Sequence, residues 1–96
     1  VFVVTLSYLT DLDQVDAALP DHLDWVERQY ADGVFLASGR KVPRTGGVIL
    51  AAGLDRAELD RRLATDPFAE RGVAAYEVTE FVAGRVADGL AHLRES

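Results

Sequence analysis

Ninety-six residues make one domain, with room for a single hydrophobic core and not for two. Apolar residues at 49% and charged residues at 27% give the balance of an ordinary globular protein, and ten basic against 16 acidic side chains leave a formal net charge of -6. That charge argues against a nucleic-acid backbone or an anionic membrane as the main partner, and zero cysteines exclude disulfides, thiolate metal sites and a cysteine nucleophile. No stretch approaches the roughly 20 apolar residues of a membrane span, and no basic-then-apolar signal precedes Val1. The expectation is a cytoplasmic protein that has lost its initiator methionine.

Residues 1–9 (VFVVTLSYL) have the β-branched and aromatic composition of a strand. Phe2, Val4, Leu6 and Tyr8 share one face, and Val1, Val3, Thr5, Ser7 and Leu9 share the other. Both faces are largely apolar, so each calls for a cover. A short capped helical turn follows from Leu12 to Leu19. Pro20 then suits the first turn of a longer helix ending near Asp32, with Gly33 as its stop. Leu23, Val26 and Tyr30 form the apolar stripe of that helix, opposite Asp24, Glu27 and Arg28. His22 lies at the edge of the stripe, where it is either a surface histidine of the first turn or part of a cleft wall. Trp25, farther round on the same side, either walls the cleft or meets a partner chain.

Residues 34–42 (VFLASGRKV) and 48–52 (VILAA) predict two strands, and Pro43-Arg44-Thr45-Gly46-Gly47 between them has the composition of a hairpin turn. Ser38-Gly39 interrupts the first of the two, marking a bulge or a close backbone approach. Arg40 and Lys41 follow, in a setting where edge strands commonly carry solvated charges. The next helix is announced by Asp55 as cap, Glu58 to complete a capping box, and Leu54 stapling to Leu59. Leu59 and Leu63 form its buried stripe. It stops at Thr65-Asp66-Pro67-Phe68, because proline disfavours helical backbone in the residue before it. Asp66 can cap a single turn that starts at Pro67 and closes at Gly72, or its carboxylate can await a partner on a rigid corner. The only internal side chain that titrates near neutral pH and could serve is His22. A last strand spans residues 73–82, and residues 83–96 form a tail in which Val86, Leu90 and Leu93 have helical spacing.

The β-α-β-β-α-β order predicts an α+β, ferredoxin-like sandwich with an antiparallel sheet and helices on one face. The apolar residues on the other face of the first strand then predict a homodimer packed sheet to sheet. The segments "DHLDWV…DGVFLASG", "GGVILAAG" and "ATDPFAERGV", in that order, resemble the YCII-related (YciI-like) family over residues 1–82. The resemblance implies a dimeric α+β barrel with a His and an Asp facing each other in a cleft, which carries over to His22 and Asp66. The family commonly has proline where this chain has Arg40, a departure that introduces a cation suited to an acidic substrate. Where chemistry is associated with the family, it is hydrogen-halide elimination from a chlorinated, hydroxylated aromatic.

A His–Asp pair can hold one imidazole nitrogen and leave the other to move a proton. Ser38 lacks the Gly-x-Ser-x-Gly frame of a nucleophile elbow, and two histidines without paired helical spacing make a weak metal site, so neither metal nor cofactor is expected. Three readings follow. The first is a lyase or isomerase with His22 as general acid/base, Asp66 as its orienter, and Ser38 and Arg40 contacting a small substrate. The second is a non-enzymatic dimeric module that binds a small ligand or a partner protein. The third is a relict in which the pair serves packing alone.

Overall fold

The computed structural model describes residues 1–95. Four strands, β1 (Phe2–Tyr8), β2 (Phe35–Arg40), β3 (Gly46–Ala51) and β4 (Ala74–Glu80), form one sheet in the order β2-β3-β1-β4. Every neighbouring pair is antiparallel. Helices α1 (Leu12–Ala31), α2 (Arg56–Leu63) and α3 (Pro67–Glu70) complete the α+β, ferredoxin-like arrangement expected from the element order.

Register decides which side chains meet the helices. Phe2, Val4 and Leu6 of β1 stand opposite Ala51, Ile49 and Gly47 of β3, and opposite Glu80, Val78 and Tyr76 of β4. Phe2, Val4, Leu6, Ile49 and Ala51 are buried on this side together with Val15, Trp25, Leu59, Leu63 and Phe68 from the helices. Each large apolar side chain so buried stabilises the fold by about 1.5–3 kcal/mol before conformational entropy is counted. On the opposite side Val3, Thr5 and Leu50 are half-buried, and Val48, Ala75, Glu77 and Thr79 are exposed, with no helix above them.

Helix α1 corrects the expectation of two helical pieces. It is one 20-residue helix with Pro20 in its interior, begun by Asp11, whose side chain accepts from Gln14 N at 3.1 Å. Pro20 removes one backbone donor. It lies on the exposed side of the helix, and beside it the Arg71 guanidinium donates to the Ala17 carbonyl at 3.3 Å. The buried stripe is Val15, Ala18, Trp25, Val26 and Gln29, continuous across the proline. Leu23 and Tyr30, expected in that stripe, are exposed, and Trp25 is a core residue with its Nε1 donating to Thr65 Oγ1 at 2.9 Å.

The bulge in β2 also falls elsewhere than expected. The register shifts between Phe35 and Ala37, ahead of Ser38-Gly39, and Gly46-Gly47 belong to β3 rather than to the turn. The Asp55 cap accepts from Glu58 N at 2.8 Å, but the Glu58 carboxylate turns to Arg61 and Arg62 instead of closing the box. Among the described residues of the tail only Ala91–Leu93 is helical, a single 3₁₀ turn, and Glu95 N donates to Ala83 O at 2.9 Å. Ser96, the last residue of the expected tail, lies outside the described residues.

Backbone closeness at β3 yields a test. A Cβ at Gly46 would lie 1.8 Å from the Leu6 carbonyl oxygen, whereas one at Gly39 meets nothing within 4 Å. Gly46→Ala should therefore force β1 and β3 apart and lower the unfolding free energy by about 2 kcal/mol or more, while Gly39→Ala changes it by about 0.5 kcal/mol or less. Equal denaturation midpoints for the two variants would contradict this close approach.

Candidate functional site

The Asp66-Pro67 corner brings three parts of the chain together. Asp66 takes an extended backbone (φ -62, ψ 128) that ends the preceding helical turn, and Pro67 starts α3 at its first position. The Asp66 side chain is fully buried. Its Oδ1 accepts from Phe68 N at 3.0 Å as a helix cap and lies 2.7 Å from His22 Nδ1. Its Oδ2 accepts from the Tyr76 hydroxyl at 2.5 Å. The cap and the carboxylate awaiting a partner are thus both realised by one side chain. Three donors on two oxygens satisfy a carboxylate, whereas a buried carboxylate without partners would be strongly destabilising.

His22 is held on its faces as well as at its edge. The Phe68 ring stacks on the imidazole at 3.8 Å with an interplanar angle of 2°, and Trp25 lies on the same histidine at 6.0 Å. Helical spacing explains the second contact, because residues three apart on α1 are neighbours on its surface. Trp25 is fixed in turn through Thr65, whose hydroxyl donates to Arg62 O at 2.7 Å. Behind it, Gln29 donates to Trp25 O at 3.2 Å and accepts from Arg62 at 2.8 Å. With Nδ1 engaged, Nε2 is the imidazole nitrogen without a protein partner among the described residues.

His22 forms part of the wall of a cavity of about 490 Å³ between α1 and the β2–β3 pair. Ser38 and Arg40 stand two residues apart on β2 opposite Ile49 and Gly47, hence on the helix side of the sheet, and both line the cavity. The Ser38 hydroxyl is 2.8 Å from the Tyr30 hydroxyl. Leu19, Leu23, Val26 and Ile49 supply apolar walls. His22, Ser38 and Arg40 therefore border one space, while Asp66 is not in its wall and stands behind His22 and Phe68, both of which are. Among the described residues, no group of three or more His, Cys, Asp or Glu side chains could hold a metal ion.

Several contributors were missed by sequence reasoning. Tyr76 falls in the expected last strand and is not singled out there, and Phe68 enters only as part of the corner that follows Thr65. Asp16 and Arg44, both in the cavity wall, are paired at 2.5 Å across 28 residues of sequence. The hydrogen bond from that guanidinium to Asp16 raises the Arg44 pKa above the ordinary arginine value, with burial acting in the other direction. The one advance signal for Tyr76 was its place on the same face of β4 as Val78.

Burial first, and then the hydrogen bond and charge of Asp66, raise the Tyr76 pKa far above that of an ordinary tyrosine. The neutral phenol is thus favoured in the folded state, so its stabilisation is complete below the unfolded value of about 10 and is lost as pH rises above it. Tyr76→Phe should be less stable than wild type at neutral pH, by about 1–3 kcal/mol, because Oδ2 loses its donor. The difference should shrink in denaturant titrations carried from about pH 9 to pH 11.

No curated protein matches the chain. Among solved structures, a 5-chloro-2-hydroxyhydroquinone dehydrochlorinase from Burkholderia phenoliruptrix, in complex with 2,5-dihydroxybenzoquinone, is similar in fold. The two are 19% identical with a TM-score of 0.72 over 83% of this chain and 91% of that one. At that identity the likeness is one of architecture. The sequence model of the YCII-related domain matches residues 1–82, from β1 through β4, and the chain belongs to that family.

Proposed function

We propose that the protein is a lyase or isomerase acting on a small molecule, with His22 as general acid/base and Asp66 as its orienting carboxylate. The observation that carries this reading is the imidazole itself. Its Nδ1 lies 2.7 Å from a fully buried carboxylate, and its ring borders the cavity. A carboxylate on Nδ1 selects the tautomer with a proton there and stabilises the imidazolium formed when Nε2 takes a second proton.

In the reaction, Nε2 removes a proton from a substrate hydroxyl or from a carbon beside a carbonyl, and the electron pair left behind moves into the conjugated system. If the imidazolium returns the proton to another carbon, the step is an isomerisation. If a neighbouring carbon carries a halide, the halide departs with its bonding pair, and the proton passes to solvent as the other half of the hydrogen halide. Neither course changes the oxidation state of the protein or needs a further reactant. The similar fold of a dehydrochlorinase is consistent with the second course. Ser38 and Arg40 are assigned to substrate contact by their place in the same wall.

The active form in this reading is a homodimer joined through the open sheet face, where Val3 and Leu50 are half-buried and Val48 is 36% exposed without a covering helix. No helix among the described residues is long and apolar enough to cross a membrane.

The test is turnover of halogenated phenols, lactones and enolisable acids by wild type, His22→Gln and Asp66→Asn. His22→Gln should lower kcat by about 10²–10⁴-fold, the ordinary contribution of a positioned base. Long-range proton–nitrogen NMR at about pH 9, where an ordinary histidine is neutral, should find Nδ1 protonated in wild type and mixed tautomers in Asp66→Asn. Ligand binding without His22-dependent turnover of any of these compounds would identify a binding module instead.

A further inference from the structure

Leaving the His22–Asp66 pair aside, the charged side chains in the cavity wall sum to the opposite sign from the whole molecule. The chain carries a net -6. The charged residues that line the cavity, His22 set aside, are Arg40, Arg44 and Asp16, giving two positive charges and one negative, a net +1. Asp16 is engaged with Arg44 at 2.5 Å. Arg40 has no ion-pair or hydrogen-bond partner among the described residues, although its neighbour Lys41 is bonded to Ser7 at 3.3 Å. A cation left unpaired in the wall of a concave site, on an otherwise acidic body, raises the local concentration of anions there.

The backbone near Arg40 leaves room for such an anion. Gly47 stands directly across from Arg40 on β3, so no side chain rises from the sheet at that place. A Cβ at Gly47 would come within 3.0 Å of the Gly39 carbonyl oxygen, and β2 and β3 approach closely there for the same reason. The same cavity is lined by the Ser38 hydroxyl on β2, by the apolar side chains of Leu19 and Val26 on α1, and by His22 and Phe68. Taken together, the lining is a cation and a hydroxyl carried by β2 and a proton-transfer group carried by α1, with apolar side chains between the layers.

We propose that the ligand of this cavity is a small hydroxylated carboxylate, whose carboxylate pairs with Arg40 while its apolar body lies toward the His22–Phe68 stack. Arg40 is a specificity-determining residue, setting the charge of what is accepted. Planar guanidinium donors match the two oxygens of a carboxylate, and a charge-assisted pair of this kind discriminates against the neutral amide of the same shape. This deepens the acid/base reading above and rests on it for the orientation of the ligand, not for the charge preference.

Calorimetric titration of the whole chain decides the matter, with salicylate and 4-hydroxyphenylacetate as probes and their primary amides as neutral counterparts. Each carboxylate should bind wild type at least about tenfold more tightly than its amide, and the ratio should fall as salt is raised. Arg40→Gln sits on an exposed position of an edge strand and should leave the fold intact while bringing the ratio near one. His22→Gln should keep the ratio, because in this proposal the charge is read by Arg40 on β2 and not by the imidazole on α1. Equal affinities for acid and amide in wild type would overturn the proposal, as would a ratio that survives Arg40→Gln or is lost in Arg44→Gln alone. The absence of any binding by both carboxylates up to about 10 mM would overturn it too. Failure of the acid/base reading looks different, since a carboxylate preference would persist with no His22-dependent turnover.

Discussion

A single buried carboxylate ties the scaffold to the site. Asp66 caps α3 through Phe68 N, accepts the Tyr76 hydroxyl from β4, and faces His22 on α1. In water each of these contacts would be worth little, but inside the protein the alternative to each is an unsatisfied polar group, and that alternative is expensive. The site geometry is therefore enforced by folding itself. Helix α3 cannot dock on β4 and α1 without setting the carboxylate against the imidazole, and the Phe68 ring that follows the cap then closes over the histidine. Hydrogen bond and ring stack leave His22 little freedom to swing away, which is the preorganisation that a proton-transfer group requires.

The cavity arises from what the layers fail to fill. Helix α1 covers the sheet through Val15, Ala18, Trp25 and Val26, but on the β2–β3 side the cavity is lined by small residues, Ser38, Gly39, Gly46 and Gly47, and His22, midway along the helix, lines the same space. Gly46 and Gly47 answer first to backbone closeness, since a Cβ at Gly46 would collide with β1 and one at Gly47 would press on the Gly39 carbonyl oxygen of β2. The room beside them follows as a consequence. A pocket obtained this way has a floor of paired strands and a wall of one long helix, with Arg44 of the β2–β3 turn at its border.

Membership of the YCII-related family and the likeness to a dehydrochlorinase bear on different levels. Family and architecture describe the frame that positions a histidine and an aspartate. The proposed reaction depends on what else lines the space, and here that includes Arg40 and the Arg44–Asp16 pair. Proton transfer of the kind proposed is compatible with several substrates, so it is the charge and shape of the lining that separate one substrate class from another.

Local chemistry was enough to read the order of elements, the caps at Asp55 and Asp66 and the stop at Pro67, because each depends on a few adjacent residues. The scarcity of titratable side chains named His22 and Asp66 as candidates, and only the family resemblance implied that they face each other. The continuity of α1 through Pro20 was not legible, since a proline's local preference says nothing of the packing on either side that outweighs one lost hydrogen bond. Nor could periodicity place Trp25 in the core, because two separate helices and one continuous helix point the same residues in different directions. Tyr76 lies ten residues from Asp66, Arg44 lies 28 from Asp16, and Asp66 lies 44 from His22. The amino-acid sequence by itself determined which groups were available for chemistry. Only the tertiary structure decided which of them meet, because strand register and helix docking are set by the core as a whole and not by any stretch of chain within it.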